Sequence, residues 1–261
     1  MFNFYRHFLD GTPYYLARHY WWAYLWRAGV WFFDHQPIIN AILFGQYKAL
    51  MCATLKQLDT GFAGRMLQMT CVYGGLTPNL TKYSGQHPLH IMDVAPVQLE
   101  LALRKCGTEG RLIPARMNAE CMGYRSSIFD TVIIFFLLHE MPDDARQRVI
   151  SEAVRIINPG GRLIVTEYAP LPDQHILYRF PPFRWMLTKL EPYLDDFWRE
   201  YLTGCLNTVA LSHGKKVVEI QHTDIFGDFY RVIEYRVIPV HPHGLNSPVR
   251  PVCSIRPVLD N

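Results

Sequence analysis

The stretch Leu67-Gln68-Met69-Thr70-Cys71-Val72-Tyr73-Gly74-Gly75 constrains this chain more than any other. An apolar run breaks into a turn with two glycines, and Leu76-Thr77-Pro78-Asn79 then opens a helical pattern. Doubly wound α/β proteins turn from first strand to first helix in this way, presenting backbone N–H groups to a nucleotide-like cofactor. Thr70 and Val72 depart from the pattern, because glycine normally stands there to reach positive φ and to admit a ligand close to the backbone. Only Gly74 and Gly75 keep that freedom, so the turn by itself is equally compatible with a plain core strand and its connection.

The following segments repeat a strand and helix rhythm. His90-Ile91-Met92-Asp93-Val94 is a short apolar run whose acid comes about 20 residues after the turn, the spacing of a ribose-binding carboxylate; Asp93 can also cap the next helix. Residues 111–115 supply a third strand, followed by Met117-Asn118-Ala119-Glu120. Residues 129–138 are continuously apolar, as suits a central parallel strand covered on both faces, and His139-Glu140-Met141-Pro142 closes it. Asp143 or Asp144 caps a helix with Val149, Ile150, Ala153, Val154 and Ile157 at helical spacing. Asn158-Pro159-Gly160-Gly161 stops that helix before a strand at 162–167.

Residues 170–214 leave the rhythm and predict an insertion over the strand ends, with an amphipathic helix over about 183–202. Residues 216–240 predict a hairpin through Gly227-Asp228. The fold class is therefore α/β, a doubly wound, mostly parallel sheet with an antiparallel C-terminal hairpin and an aromatic-rich helical N-terminal extension. Three regions follow: the extension at 1–60, a cofactor domain at 61–240 with a cap insertion at about 170–214, and a loose tail at 241–261.

The extension needs its own explanation. HYWWAYLWRAGVWFF, residues 19–33, puts Tyr20, Tyr24, Ala28 and Trp31 on one helical stripe and Trp22, Trp26, Gly29 and Phe33 on another. One face can pack on the core; the other suits a membrane surface or a lipid substrate, with further core packing as the alternative. Residues 37–56 predict a second helix with proline at its start. No run reaches the roughly 18–20 apolar residues of a bilayer span. A net charge of +3 without any Lys/Arg block does not point to nucleic acid, though it permits contact with an anionic surface. The six cysteines are scattered without a C-x-x-C pair, which predicts reduced thiols.

Taken together, the acid after the second strand, the Phe-Asp start of the fourth and Asn-Pro-Gly-Gly before the fifth resemble a class I S-adenosylmethionine-dependent methyltransferase over residues 64–240. Within that superfamily the chain more closely resembles the rhodoquinone biosynthesis protein family. The matching residues are Tyr20-Trp21-Trp22-Ala23-Tyr24, Cys71-Val72-Tyr73-Gly74, Ala95-Pro96-Val97-Gln98-Leu99 and Phe135-Phe136-Leu137-Leu138-His139-Glu140. That resemblance implies exchange of a ring methoxy group of ubiquinone for an amino group, with S-adenosylmethionine as nitrogen source and manganese assisting. It places Thr70, Val72, Tyr73 and Gly74 at the methionine end of the cofactor, Asp93 and Val94 at the ribose, and Asn118 with Ala119 at the adenine.

His139 and Glu140, with Tyr73, are the expected catalytic residues, and His139, Glu140 and Asp143 the expected metal ligands, hard oxygen and imidazole donors being suited to manganese. Asp144 is a possible substitute and Glu167 a weaker candidate. Tyr20, Trp21, Trp22 and Tyr24 are the expected contacts to a lipophilic quinone. The expected location is a membrane surface, on the cytoplasmic face of a bacterial inner membrane or on its mitochondrial counterpart. Two other readings stay open: a conventional methyltransferase of a quinone precursor or other lipophilic phenol, and a non-catalytic, membrane-associated assembly partner.

Overall fold

The computed structural model describes residues 11–59, 64–107, 111–173 and 175–240; the tail expected at 241–261 and the first ten residues of the extension lie outside them. Seven strands form one sheet: β1 (Met66–Met69), β2 (Leu89–Asp93), β3 (Leu112–Arg116), β4 (Phe129–Phe135), β5 (Ile157–Tyr168), β6 (Lys215–Ile225) and β7 (Tyr230–Pro239). Their spatial order is β3-β2-β1-β4-β5-β7-β6. The first five run parallel, while β7 is antiparallel to β5 and β6 to β7. The doubly wound sheet with its terminal hairpin is thus the fold expected from the sequence.

Burial explains the pattern of apolar runs. Every residue of β1 is buried, and β4 is buried apart from Asp130, because helices cover both faces of these central strands. Shortening Leu67 to alanine here costs roughly 2–5 kcal/mol by the usual core cavity effect. β3 at the edge is largely exposed. Helices α1 (Arg27–Phe33), α2 (Gln36–Ile42) and α3 (Tyr47–Lys56) precede β1, and α4 (Leu76–Tyr83), α5 (Pro96–Cys106) and α6 (Asp143–Ile156) link the parallel strands, following β1, β2 and β4. The insertion holds α7 (Pro181–Leu190), α8 (Leu194–Arg199) and α9 (Leu202–Ser212).

Each long helix expected outside the α/β repeat is broken, for an identifiable reason. The segment at 19–33 forms two helical turns, Leu16–Tyr20 and Trp21–Tyr24, before Trp26 turns extended (φ −90, ψ 122) and α1 begins. Gly29 of α1 then lies so close to the Trp22 carbonyl that no Cβ would fit. The segment at 37–56 splits into α2 and α3, bent by 88°, where Phe44 (φ 50) and Gly45 (φ 79) are left-handed. No single helix among the described residues is long and apolar enough to cross a membrane. The helix expected at 183–202 ends at Glu191 (φ −116, ψ 84), which the following Pro192 keeps out of the helical region.

A smaller correction concerns β5, which starts at Ile157 and includes Asn158-Pro159-Gly160-Gly161. The register against β4 shifts between Phe129 and Thr131, so those residues kink the strand as well as ending the helix.

Candidate functional site

A cavity of about 320 Å³ opens at the carboxyl ends of β1, β2 and β4, where the strand order reverses. One half is walled by Thr70, Cys71, Val72 and Tyr73 after β1, by Asp93 and Val94 at the end of β2, and by Met117, Asn118 and Ala119 after β3. The other half is walled by Tyr15, Tyr20 and Tyr24 of the extension, His139 and Glu140 after β4, Tyr168 and Glu191.

The turn after β1 is left-handed at Thr70 (φ 64), a conformation that costs a β-branched residue roughly 1–2 kcal/mol. Gln68 Nε2 holds it by donating to the Thr70 carbonyl at 3.0 Å. The next N–H groups are not open to a ligand. Gly74 N–H donates to Asp34 Oδ1 at 2.9 Å, and the N–H groups of Gly75 and Leu76 donate to the Tyr47 hydroxyl at 2.6 and 3.1 Å. Lys105 Nζ completes the arrangement 2.5 Å from Asp34. Gly74 (φ 76) therefore stands behind the cavity wall, where a Cβ would strike the Tyr47 ring. Burial lifts the Tyr47 hydroxyl to about 12, against the opposing pull of those two N–H groups.

Asp93 sits at the cavity with both oxygens already engaged: Oδ2 accepts from Cys71 N–H and Oδ1 from Ala95 N–H, each at 2.8 Å. Each carboxylate oxygen keeps a lone pair for a hydroxyl donor. Burial raises this group to about 6, the backbone N–H groups of Ala95 and Cys71 working against the rise. Asn118 lines the cavity too, and its Oδ1 accepts from Glu120 N–H at 2.9 Å.

Across the cavity lies a cluster of one histidine and three carboxylates. Glu167, fully buried on β5, accepts from Leu138 N–H at 2.6 Å and faces His139 Nδ1 at 2.8 Å. That bond fixes the ring and turns Nε2 toward Glu191 Oε2, 4.0 Å away. The Tyr20 hydroxyl donates to Glu191 at 2.8 Å, and the Tyr24 hydroxyl donates to Glu140. Burial opposes charging of His139, but Glu167, with Glu191 and Glu140, outweighs it and lifts the ring to about 9. Glu140 rises to about 8, chiefly through burial and then through the charge of Glu191, with His139 opposing; burial raises Glu191 as well. The cluster thus retains protons at neutral pH and can exchange them with a bound group.

Most of the residues singled out in the sequence meet here. Tyr73 lines the cavity, but its hydroxyl donates to the Ala23 carbonyl and accepts from Gln98 Nε2 at 3.1 Å, while its ring stacks on Tyr24 at 5.8 Å. It fastens the extension to the turn. Tyr20, Trp22 and Tyr24 line the cavity; Trp21 is exposed outside it.

The metal expectation needs correcting. Asp143 lies in the exposed first turn of α6, accepting from Gln147 at 3.0 Å, and is no part of the cavity. Among the described residues no group of three His, Cys, Asp or Glu side chains is arranged to hold a metal. His139 spends Nδ1 on Glu167 and Glu140 accepts from Tyr24, so His139, Glu140 and Asp143 do not form a manganese site.

Glu191, Asp34, Tyr15 and Tyr47 escaped the sequence reading. Tyr20 and Glu191 are 171 residues apart, and no local pattern joins them. The break signalled by Glu191-Pro192 inside an apparent helix was the one available clue.

Comparison with known proteins follows the same outline. A family model described as a methyltransferase domain matches residues 66–161. The chain is 29% identical over 164 residues to a demethylmenaquinone methyltransferase of Lactiplantibacillus plantarum, covering 61% of this chain and 67% of that one. It is 24% identical over 159 residues to the ubiquinone/menaquinone biosynthesis C-methyltransferase UbiE of Burkholderia mallei, covering 59% and 65%. The alignments thus span about two thirds of these relatives' length. Among solved structures, the N-methyltransferase NodS of Bradyrhizobium japonicum superposes with a TM-score of 0.52 at 12% identity, over 73% of this chain and 96% of that one. With the strand order above, the fold is the class I methyltransferase fold.

Proposed function

We propose that this protein is an S-adenosylmethionine-dependent transferase that acts on the ring of a lipophilic quinone or its phenolic precursor, and that the group transferred is methyl. The observation that carries the proposal is a single cavity that joins a doubly wound cofactor turn and Asp93 to a buried histidine and carboxylate cluster under an aromatic cover. The match at residues 66–161 and the quinone C-methyltransferases among the relatives support it.

The residues present fit the cofactor. Asp93 keeps lone pairs for ribose hydroxyls, Asn118 and Ala119 offer a wall for a flat base, and Thr70 to Tyr73 border the remaining end. S-adenosylmethionine supplies an electrophilic methyl group. This chain's contribution lies in the acceptor. Removing the proton of a ring hydroxyl raises electron density at the adjacent ring carbon, and Glu140, lifted to about 8, is matched to that exchange near neutral pH. His139, charged and held by Glu167, stabilises the resulting oxyanion. Tyr15, Tyr24, Phe136 and Tyr168 wall the acceptor from water.

A second reading, exchange of a methoxy for an amino group to give rhodoquinone, is favoured by Tyr20-Trp21-Trp22-Ala23-Tyr24 and by bulk at Thr70 and Val72, where the methionine end of the cofactor would rest. One experiment separates the readings: incubate the protein with a demethylated quinol or ubiquinone in vesicles and S-adenosylmethionine labelled in the methyl carbon or the amino nitrogen, then weigh the lipid by mass spectrometry. Methyl label in the lipid supports the proposal, nitrogen label without methyl supports the second reading, and neither label overturns both.

A further inference from the structure

We propose that two aromatic, acid-free elements meeting at the cavity mouth dock this protein onto a bilayer carrying anionic phospholipid. The first is residues 14–33, the second residues 176–190. Neither contains an aspartate or glutamate, in a chain with 23 of them; the first carries Arg18 and Arg27, the second Arg179, Arg184 and Lys189. Both expose large apolar side chains that a water-facing helix would bury: Trp26 at 56% and Trp31 at 67% in the first, Ile176 at 76% and Trp185 at 65% in the second. Trp and Tyr with basic neighbours and no acids are the composition of an interfacial anchor.

The two elements are joined, so their exposed side chains border one opening. Tyr20 of the first bonds Glu191 just beyond the second, the His19 ring of the first meets Tyr193 at 5.6 Å, and Phe183 of the second meets Phe44, at the bend between α2 and α3, at 5.3 Å. Trp22, Ile42 and Leu190 line the cavity and are at the same time exposed, which puts the mouth between the elements. A lipid-soluble acceptor would then pass from the bilayer into the cavity without crossing water.

Charge selects the occupant. Arg27 pairs with Glu100 and Arg184 with Asp195, but Arg18, Arg179 and Lys189 have no carboxylate partner among the described residues. A two-fold contact between copies of this face would press these cations together, whereas lipid phosphates neutralise them. The notion of a docked surface does not depend on which group is transferred.

Co-sedimentation of the full chain with vesicles of phosphatidylcholine, with and without phosphatidylglycerol, tests this. Binding at least about tenfold stronger to the anionic vesicles is expected. Trp31→Glu with Trp185→Glu, and separately Arg179→Glu with Lys189→Glu, should each lose that gain, with thermal melts showing that the variants fold. If the first pair unfolds, Trp26→Glu with Phe180→Glu replaces it. No vesicle binding, equal binding by the variants, or a dimer abolished by the same substitutions would overturn the proposal. Sedimentation is read without turnover, so failure of the transfer assay leaves this result standing, and the reverse.

Discussion

At the scale of single residues, Glu191 tunes its neighbours within the cluster. Its charge raises Glu140, and it also favours the protonated His139. Glu191→Gln should therefore lower both, moving the pH profile of kcat/KM to lower pH; an unmoved profile would contradict this placement. Glu140→Gln should cost about 10²- to 10⁴-fold in kcat, the usual share of a general acid or base, with cofactor affinity retained. Thr70→Gly should raise the unfolding free energy by ~0.5–1 kcal/mol, since relief of the left-handed backbone exceeds the added chain entropy of glycine; a urea titration reads it. Asp93 and the His139-Glu140 pair were legible because they end recognisable strands. Glu191, which lines the cavity, and Asp34 and Tyr47, which hold the turn from behind its wall, were not, since they come from segments distant in sequence, and Asp143 misled because closeness in sequence to Glu140 is not closeness in space.

At the scale of elements, the extension is a cover fastened by tyrosine hydroxyls on carboxylates. Tyr15 donates to Glu120 at 3.2 Å, Tyr20 to Glu191 and Tyr24 to Glu140. Tyr20→Phe with Tyr24→Phe should speed amide hydrogen exchange over residues 16–33 while β1 and β4 stay protected, each lost bond being worth about 0.5–1.5 kcal/mol. The same cluster links stability to pH. Folding raises Glu140 from 4.5 to about 8 and His139 from 6.5 to about 9, so the folded protein holds protons that the unfolded chain has released. Their contribution is complete below the unfolded values and is lost as pH climbs through the folded ones. The melting temperature should accordingly fall between about pH 5 and 9, and Glu140→Gln should flatten the lower part of that slope. Strands and their helices could be read from periodicity, whereas of the breaks in the long helices only the one at Pro192 left a mark in the sequence. They depend on a glycine against a neighbouring carbonyl, a left-handed pair at Phe44 and Gly45, and a proline after Glu191.

At the scale of the whole molecule, the sheet order brings the turn after β1, Asp93 and the residues after β4 to one opening, and the two segments outside the α/β repeat close over it. The sheet was readable from the sequence because each strand carries its own apolar signal. The packing of the cover was not, because its contacts are long-range and its helices are short. The fold hosts many reactions, so the assignment rests on the two halves of this cavity. The central claim is that the Asp93 half binds S-adenosylmethionine while the His139 half serves the acceptor. Titration calorimetry of S-adenosylmethionine into the wild type, Asp93→Asn and Glu191→Gln tests it most directly. The account predicts binding by the wild type, at least about tenfold weaker binding by Asp93→Asn, and wild-type affinity in Glu191→Gln. No heat of binding in the folded wild type would contradict it and favour the non-catalytic reading.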